Sequence, residues 1–148
     1  MAKLSSEEYL QQKRFLRFFS ERYFNLKGLD PRHHPCAVLE LLEKTSPAKA
    51  SQGLRMAIND CLEMSRRWLV HDVQKLDADL LQAGIPTLSK LRRLYSRSYA
   101  KIVQRGRIIS EVEFFLVKGI RDSGSGDLDE QALAAIDRLL QEYERSVP

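Results

Sequence analysis

The sequence predicts an all-α protein: one domain over residues 1–148, an irregular bundle of about six helices that includes one long central helix. Three observations predict it. Apolar residues recur at the three- and four-residue spacing of a helix face rather than in strand-like alternation. Only 7 Gly and 5 Pro occur among the 148 residues, and they mark places where helices should stop. Ser or Asp followed three residues later by Glu stands at several expected helix starts.

The first helix is expected from about Ser6 to Lys27, opened by a Ser5/Glu8 capping box and closed by Gly28. Tyr9, Phe15, Leu16, Phe19, Tyr23, Phe24 and Leu26 share one wide face that should pack on a core, whereas Leu10 and Phe18 fall outside it. Lys13, Arg14, Arg17, Arg22 and Lys27 around this face also suit a membrane surface, but a small domain needs its largest apolar faces internally.

A proline-bounded loop leads into a short helix of about Cys36 to Lys44, with Val38, Leu39, Leu41 and Leu42 as core candidates. Ser46 and Pro47 read as the N-cap and first residue of the next helix. Between Gly53 and Gly84 there is neither Gly nor Pro. Leu54, Ile58, Cys61, Leu62, Ser65, Trp68, Leu69, Val73, Leu76, Leu80 and Ala83 hold one helical stripe through that span. An unbroken helix there would extend about 45 Å at about 1.5 Å per residue, so it either projects as a spine or breaks near His71 and Asp72. Asp72 falls within the apolar stripe, and Met56, Met64, Val70 and Leu81 off it suggest cover on more than one side.

A fourth helix is expected from Leu88 to Gln104, ending before Gly106. Ser110 and Glu113 form the capping box of a fifth, with Ile109 placed to staple against Phe114; its run Phe114, Phe115, Leu116, Val117 and Ile120 marks it as central. Residues 122–127 read as an exposed Gly/Ser loop. Asp127 with Glu130 then opens a last helix to about Arg145, with Leu133, Ile136, Leu139, Leu140 and Tyr143 inward. No repeat or sustained heptad is present.

Charge placement is the unusual feature. Residues 82–110 carry 7 basic and 0 acidic groups, and residues 111–148 carry 4 and 9, within a chain of net charge +4. Lys90, Arg93, Arg97, Lys101 and Arg105 recur as one stripe along the fourth helix, extended by Arg92 and Arg107, with Tyr95 and Tyr99 on the other side. Unopposed, such cations repel by about 0.2–0.5 kcal/mol per i,i+4 pair. Either the acidic last helix neutralises them through Asp129, Glu130, Asp137, Glu142 and Glu144, or an external anion does.

The expected function is therefore a non-enzymatic protein-interaction or regulatory module working through this basic face with a protein partner or a second copy. Nucleic-acid binding through Lys90, Arg92, Arg93, Arg97, Lys101, Arg105 and Arg107 is the alternative, bringing marked salt sensitivity. A second alternative is an enzyme or metal site at His33, His34 and Cys36, near Asp30, although adjacent histidines diverge and no further ligands stand at zinc-like spacing.

Other patterns carry less. The turn between Leu80 and Leu94 resembles a helix-turn-helix, but Leu88, Leu91 and Leu94 are out of register for one. His71 and Asp72 point about 100° apart on a helix, which separates a base from its orienting group. Residues 122–130 fail as a calcium loop, since Gly124 and Gly126 occupy ligand positions and Leu133 replaces the closing Glu. No catalytic residues, resident metal or cofactor are expected. Recurrent charges exclude a membrane span, and an acidic, polar start with two unpatterned cysteines points to a reducing, cytoplasmic setting.

Overall fold

The protein is all-α. A computed structural model describes residues 4–122 and 128–147. Among these it contains eight α-helices and no strand: α1 (Ser6–Tyr23), α2 (Pro35–Thr45), α3 (Pro47–Met64), α4 (Val70–Gln82), α5 (Leu88–Tyr95), α6 (Arg97–Arg105), α7 (Glu111–Asp122) and α8 (Glu130–Ser146). The chain forms two compact units, Met1–Cys61 and Leu62–Pro148.

In the first unit, α1 opens as expected. Ser5 Oγ accepts from the Glu8 N–H at 3.1 Å and the Ser5 N–H donates to Glu8 Oε1 at 3.2 Å. It ends four residues earlier than the sequence suggested. Ser20 Oγ donates back to the Leu16 carbonyl at 2.6 Å, the Phe24 backbone turns extended, and Asn25 Oδ1 accepts from the Lys27 N–H at 3.3 Å. Side chains that bond the local backbone compete with the next helical turn. Phe15, Leu16 and Phe19 are buried, while Leu10 is exposed.

The cations of α1 are largely spent within the unit. Lys13 Nζ lies 3.1 Å from Glu43 Oε1 and 3.5 Å from Glu40 Oε1, and Arg17 reaches Glu40 at 3.2 Å. Tyr9 donates to Glu43 at 2.5 Å; burial, reinforced by that carboxylate, raises the phenol's pKa well above its ordinary value. Arg22 sits over the Phe18 ring, 5.8 Å from its centroid. Of the four core candidates on α2, Leu39 is buried and Leu42 half-buried, whereas Val38 and Leu41 face solvent; Cys36, which was not among them, is buried. Ser46 caps α3 as expected, its Oγ accepting from the Lys49 N–H at 3.3 Å.

The long central helix is two helices. Residues 65–69 leave helical geometry, with the Arg66 N–H bonded to the Glu63 carbonyl and the Trp68 N–H to the Ser65 carbonyl. The break precedes His71 and Asp72, which both lie exposed in the first turn of α4. Because the interruption resets the helical phase, Leu69 and Ala83 leave the buried stripe and Asp77 joins it. Met56, Met64 and Leu81 are exposed, so the expected second covered side does not exist there.

α4 ends in a Schellman turn: the Ile85 N–H reaches the Leu80 carbonyl at 2.9 Å, the Gly84 N–H reaches Leu81 at 3.1 Å, and Gly84 takes φ +72°. The expected fourth helix also divides, at Ser96, which closes α5 and caps α6 by accepting from the Tyr99 N–H at 3.1 Å. α7 is the hub of this unit, packed on α4, α5, α6 and α8. Tyr99 and Ile102 of α6, Leu116, Val117 and Ile120 of α7, and Ile136, Leu139 and Leu140 of α8 form one cluster with Ile108. Phe114 stacks on Tyr143 at 5.2 Å rather than being stapled by Ile109, which stays exposed. α8 is capped by Asp129, whose Oδ1 accepts from the Ala132 N–H at 2.7 Å; the expected loop over 123–127 and the Asp127 cap lie outside the described residues. Among the described residues, no helix is long and apolar enough to cross a membrane.

Candidate functional site

The seven cations singled out from the sequence do not line one continuous helix, because the helix expected to carry them breaks at Ser96. Lys90 and Leu94 occupy the solvent side of α5. Arg97 and Lys101, one turn apart, occupy the solvent side of α6, and Arg107 lies exposed after Gly106, whose φ of +82° ends that helix. Lys90, Arg97, Lys101 and Arg107 make no ion pair with the described residues. Arg93 is half-buried and engaged within the fold.

Two members leave the stripe. Arg92 is 1% exposed and belongs to the interior. One helical turn after Leu88 and adjacent to Leu91, it falls on the apolar side of α5, a position the continuous-helix stripe concealed. Its Nη2 donates to the Ser65 carbonyl at 2.5 Å, placing a cation at the carboxyl end of α3, where the helix dipole favours one. Burial pulls its pKa down to about 10, a loss that attraction to Asp77 partly opposes. It remains charged at neutral pH.

Asp77 is the partner the sequence reading missed. From α4 its Oδ1 accepts from the Leu88 N–H at 2.8 Å, and its Oδ2 accepts from the Ser89 hydroxyl at 2.5 Å, so one carboxylate holds the first turn of α5 from 11 residues away. Burial pushes its carboxyl pKa up, while the Ser89 and backbone donors and Arg92 pull it down. The available signal was a carboxylate flanked by Val73, Leu76 and Leu80 at helical spacing. Asp72 drew attention instead, because the unbroken helix placed it in the stripe.

Arg105 is neutralised, by α7 rather than by the last helix. Its Nη1 lies 2.7 Å from Glu113 Oε1 and its Nη2 3.1 Å from Oε2, a bidentate pair, and Nη1 also donates to the Arg107 carbonyl at 3.1 Å. Glu113 Oε1 further accepts from the Ile109 N–H at 3.0 Å, one residue earlier than a regular capping box, while Ser110 Oγ accepts from the Glu113 N–H as expected. The Arg105 hydrogen bonds hold the Glu113 pKa below the usual carboxylate range.

The acidic residues of α8 do not cover the basic face. Asp129 caps its own helix and Asp137 pairs with Arg121 at 2.7 Å. Glu130, Glu142 and Glu144 make no ion pair with the described residues. Among the described residues, pairing with a carboxylate thus accounts for Arg105 but not for Lys90, Arg97, Lys101 or Arg107.

The loop around His33 is committed to structure. His33 points into solvent, whereas His34 caps α2, its Nδ1 accepting from the Cys36 N–H at 3.0 Å. Cys36 is buried and its thiol pKa is raised by that burial, which works against a thiolate nucleophile. Among the described residues no three His, Cys, Asp or Glu side chains converge to hold a metal ion. Neither cysteine is in a disulfide, and both are buried.

Exposed apolar side chains occur in the same stretch of chain as these cations: Leu94 is 50%, Val103 52% and Ile109 57% exposed. Comparison with protein-family models, with curated proteins and with solved structures finds no match to this chain.

Proposed function

We propose that this protein is a non-enzymatic interaction or regulatory module that engages a protein partner through the basic face of α5, α6 and the turn after Gly106. The observation that carries the reading is that Lys90, Arg97, Lys101 and Arg107 are exposed without an ion pair among the described residues. On α6, Arg97 and Lys101 are i,i+4 neighbours that repel in the free protein by about 0.2–0.5 kcal/mol. An acidic partner relieves this repulsion and gains long-range steering.

A cytoplasmic setting belongs to the same proposal, supported by two buried thiols outside any disulfide. The non-enzymatic part is supported by His34 and Cys36 being engaged in capping and burial. Nucleic acid is the second reading, favoured by the absence of any acidic residue across 82–110.

The two are separated by a photo-reactive side chain at position 101, with one at the exposed Ala134 of α8 as control. The proposal expects protein adducts at 101 that disappear in high salt and are missing at 134. Nucleic-acid adducts at 101 would favour the second reading, and identical adducts from both positions would remove the basic face as the site.

A further inference from the structure

We infer that His34 is a proton-operated latch within the first unit: its neutral imidazole caps α2, and protonation releases that cap and hands the ring to Glu21 of α1. The start of α2 makes the cap matter. Pro35 occupies the first helical position and has no N–H, so the Cys36 N–H is the first backbone donor of the helix that needs an acceptor. His34 Nδ1 accepts it at 3.0 Å. The backbone around the ring is held on both sides, the His34 N–H donating to the Pro31 carbonyl at 3.2 Å and the His34 carbonyl accepting from the Val38 N–H at 3.1 Å.

That geometry fixes where the ring proton sits. A neutral imidazole has one acceptor nitrogen and one N–H, and because Nδ1 accepts, Nε2 carries the hydrogen. This Nε2–H is buried and has no hydrogen-bond partner among the described residues. Glu21 Oε1 lies 3.8 Å from it, just beyond hydrogen-bond distance. The neutral ring thus leaves a donor unsatisfied beside a carboxylate. A second proton turns Nδ1 from acceptor into donor, so that it opposes the Cys36 N–H. The cationic ring also stands at the positive end of the α2 dipole. Both effects expel it from the cap, and Glu21 attracts it.

The surrounding charges leave Glu21 able to receive the ring. Those acting on the neighbouring Cys36 are Arg17, Lys13 and Glu21 from α1 and Glu40 from α2. Arg17 lies 3.2 Å from Glu40 but 3.8 Å from Glu21, and Lys13 is shared between Glu43 and Glu40. Glu21 is therefore the loosely held carboxylate at the His34 end of this network. Asp30 and Arg32, on the turn before His34, pair with each other at 2.7 Å and compensate one another. His33 points into solvent and supplies an internal control.

NMR on the full chain tests the latch between pH 8 and pH 5.5, above the region near about 4.3 where ordinary glutamates take up protons. At pH 8 the His34 ring is expected as the Nε2–H tautomer. As the ring gains its second proton, the Cys36 and Val38 amides are expected to lose about fivefold in protection against hydrogen exchange, the scale of one lost N-cap. His34→Asn keeps a capping oxygen and cannot titrate, so its protection should not change with pH in this window. His33→Asn should behave as wild type, and Glu21→Gln should move the loss to lower pH.

An Nδ1–H tautomer at pH 8, or protection unchanged as His34 is protonated, overturns the inference. Both are read on the wild-type chain, so the test stands whether or not a variant folds. The same pH-dependent loss in His34→Asn, its disappearance in His33→Asn, or a loss unmoved by Glu21→Gln overturns it as well.

Discussion

The Arg92 guanidinium holds the Ser65 carbonyl at 2.5 Å, joining the middle of α5 to the end of α3 inside the second unit. The cation is 1% exposed and its Nε has no hydrogen-bond partner among the described residues, so it depends on Ser65 and on attraction to Asp77. Removing one side of such an arrangement leaves a buried polar group uncompensated. Arg92→Met is expected to cost about 3 kcal/mol or more of stability, read as a lower urea midpoint. An unchanged midpoint would show that the contact contributes nothing net.

Charge changes on the solvent side should behave in the opposite way. Lys101→Glu and Arg97→Glu touch no described partner and should leave stability within about 0.5 kcal/mol of wild type, while reducing binding to an acidic partner. Arg92→Met destabilises and Lys101→Glu does not; equal thermal shifts in the two variants would contradict the division between buried and docking cations.

Leu69 offers a stabilising substitution. It occupies the N-cap of α4 with φ −65° and ψ 149°, makes no side-chain cap bond, and is 64% exposed. Leu69→Ser supplies an acceptor for the first-turn N–H groups at a backbone geometry already suited to it, and should add about 1 kcal/mol. Thermal unfolding of the two proteins checks this, and a lowered transition would mean that Leu69 packs in a way its exposure does not suggest.

Acid should weaken the fold through two carboxylates. The Tyr9 hydrogen bond chiefly holds Glu43 below its ordinary pKa of 4.5, and the Arg105 pair holds Glu113 below the same value. Depressed folded-state pKa values contribute stability that is present above the unfolded value and lost as pH falls through the folded one. Asp77, raised by burial, acts with the opposite sign. Urea midpoints of Glu43→Gln and Glu113→Gln should therefore fall less than wild type below about pH 4.5. Parallel profiles would exclude these pairs as the cause.

The thiols should be silent in the native state. Both are buried, and burial, assisted by Asp60, pushes the Cys61 pKa up to about 12. At pH 8 a thiol-disulfide reagent should react with Cys61 at a rate that tracks unfolding and rises with urea. A fast phase in the absence of denaturant would place a thiol at the surface.

Helix identity and several ends were legible because they are local. The Ser5/Glu8 box, the Ser46–Pro47 start, the Ser110 cap and the stop at Gly106 need only neighbours within one turn, and each is present. So was the centrality of α7, since its nearly continuous apolar run demands cover on several sides. An interruption near His71 and Asp72 was one of the two readings the sequence allowed, but its place at residues 65–69 and the break at Ser96 were not legible. Nothing in the sequence between Gly53 and Gly84 forbids a continuous helix; the interruption is matched by a guanidinium 27 residues away bonding the Ser65 carbonyl.

Residue types and their spacing thus determined that the chain is helical, where most helices start, and that seven cations gather in one stretch without acid. Tertiary structure alone decided which of those cations reach solvent: it drew Arg92 inward, gave Arg105 to Glu113, and left Lys90, Arg97, Lys101 and Arg107 outside. The physical reason is that burial and pairing of a long charged side chain depend on groups distant in sequence, and a small change of helical phase moves it from water to core.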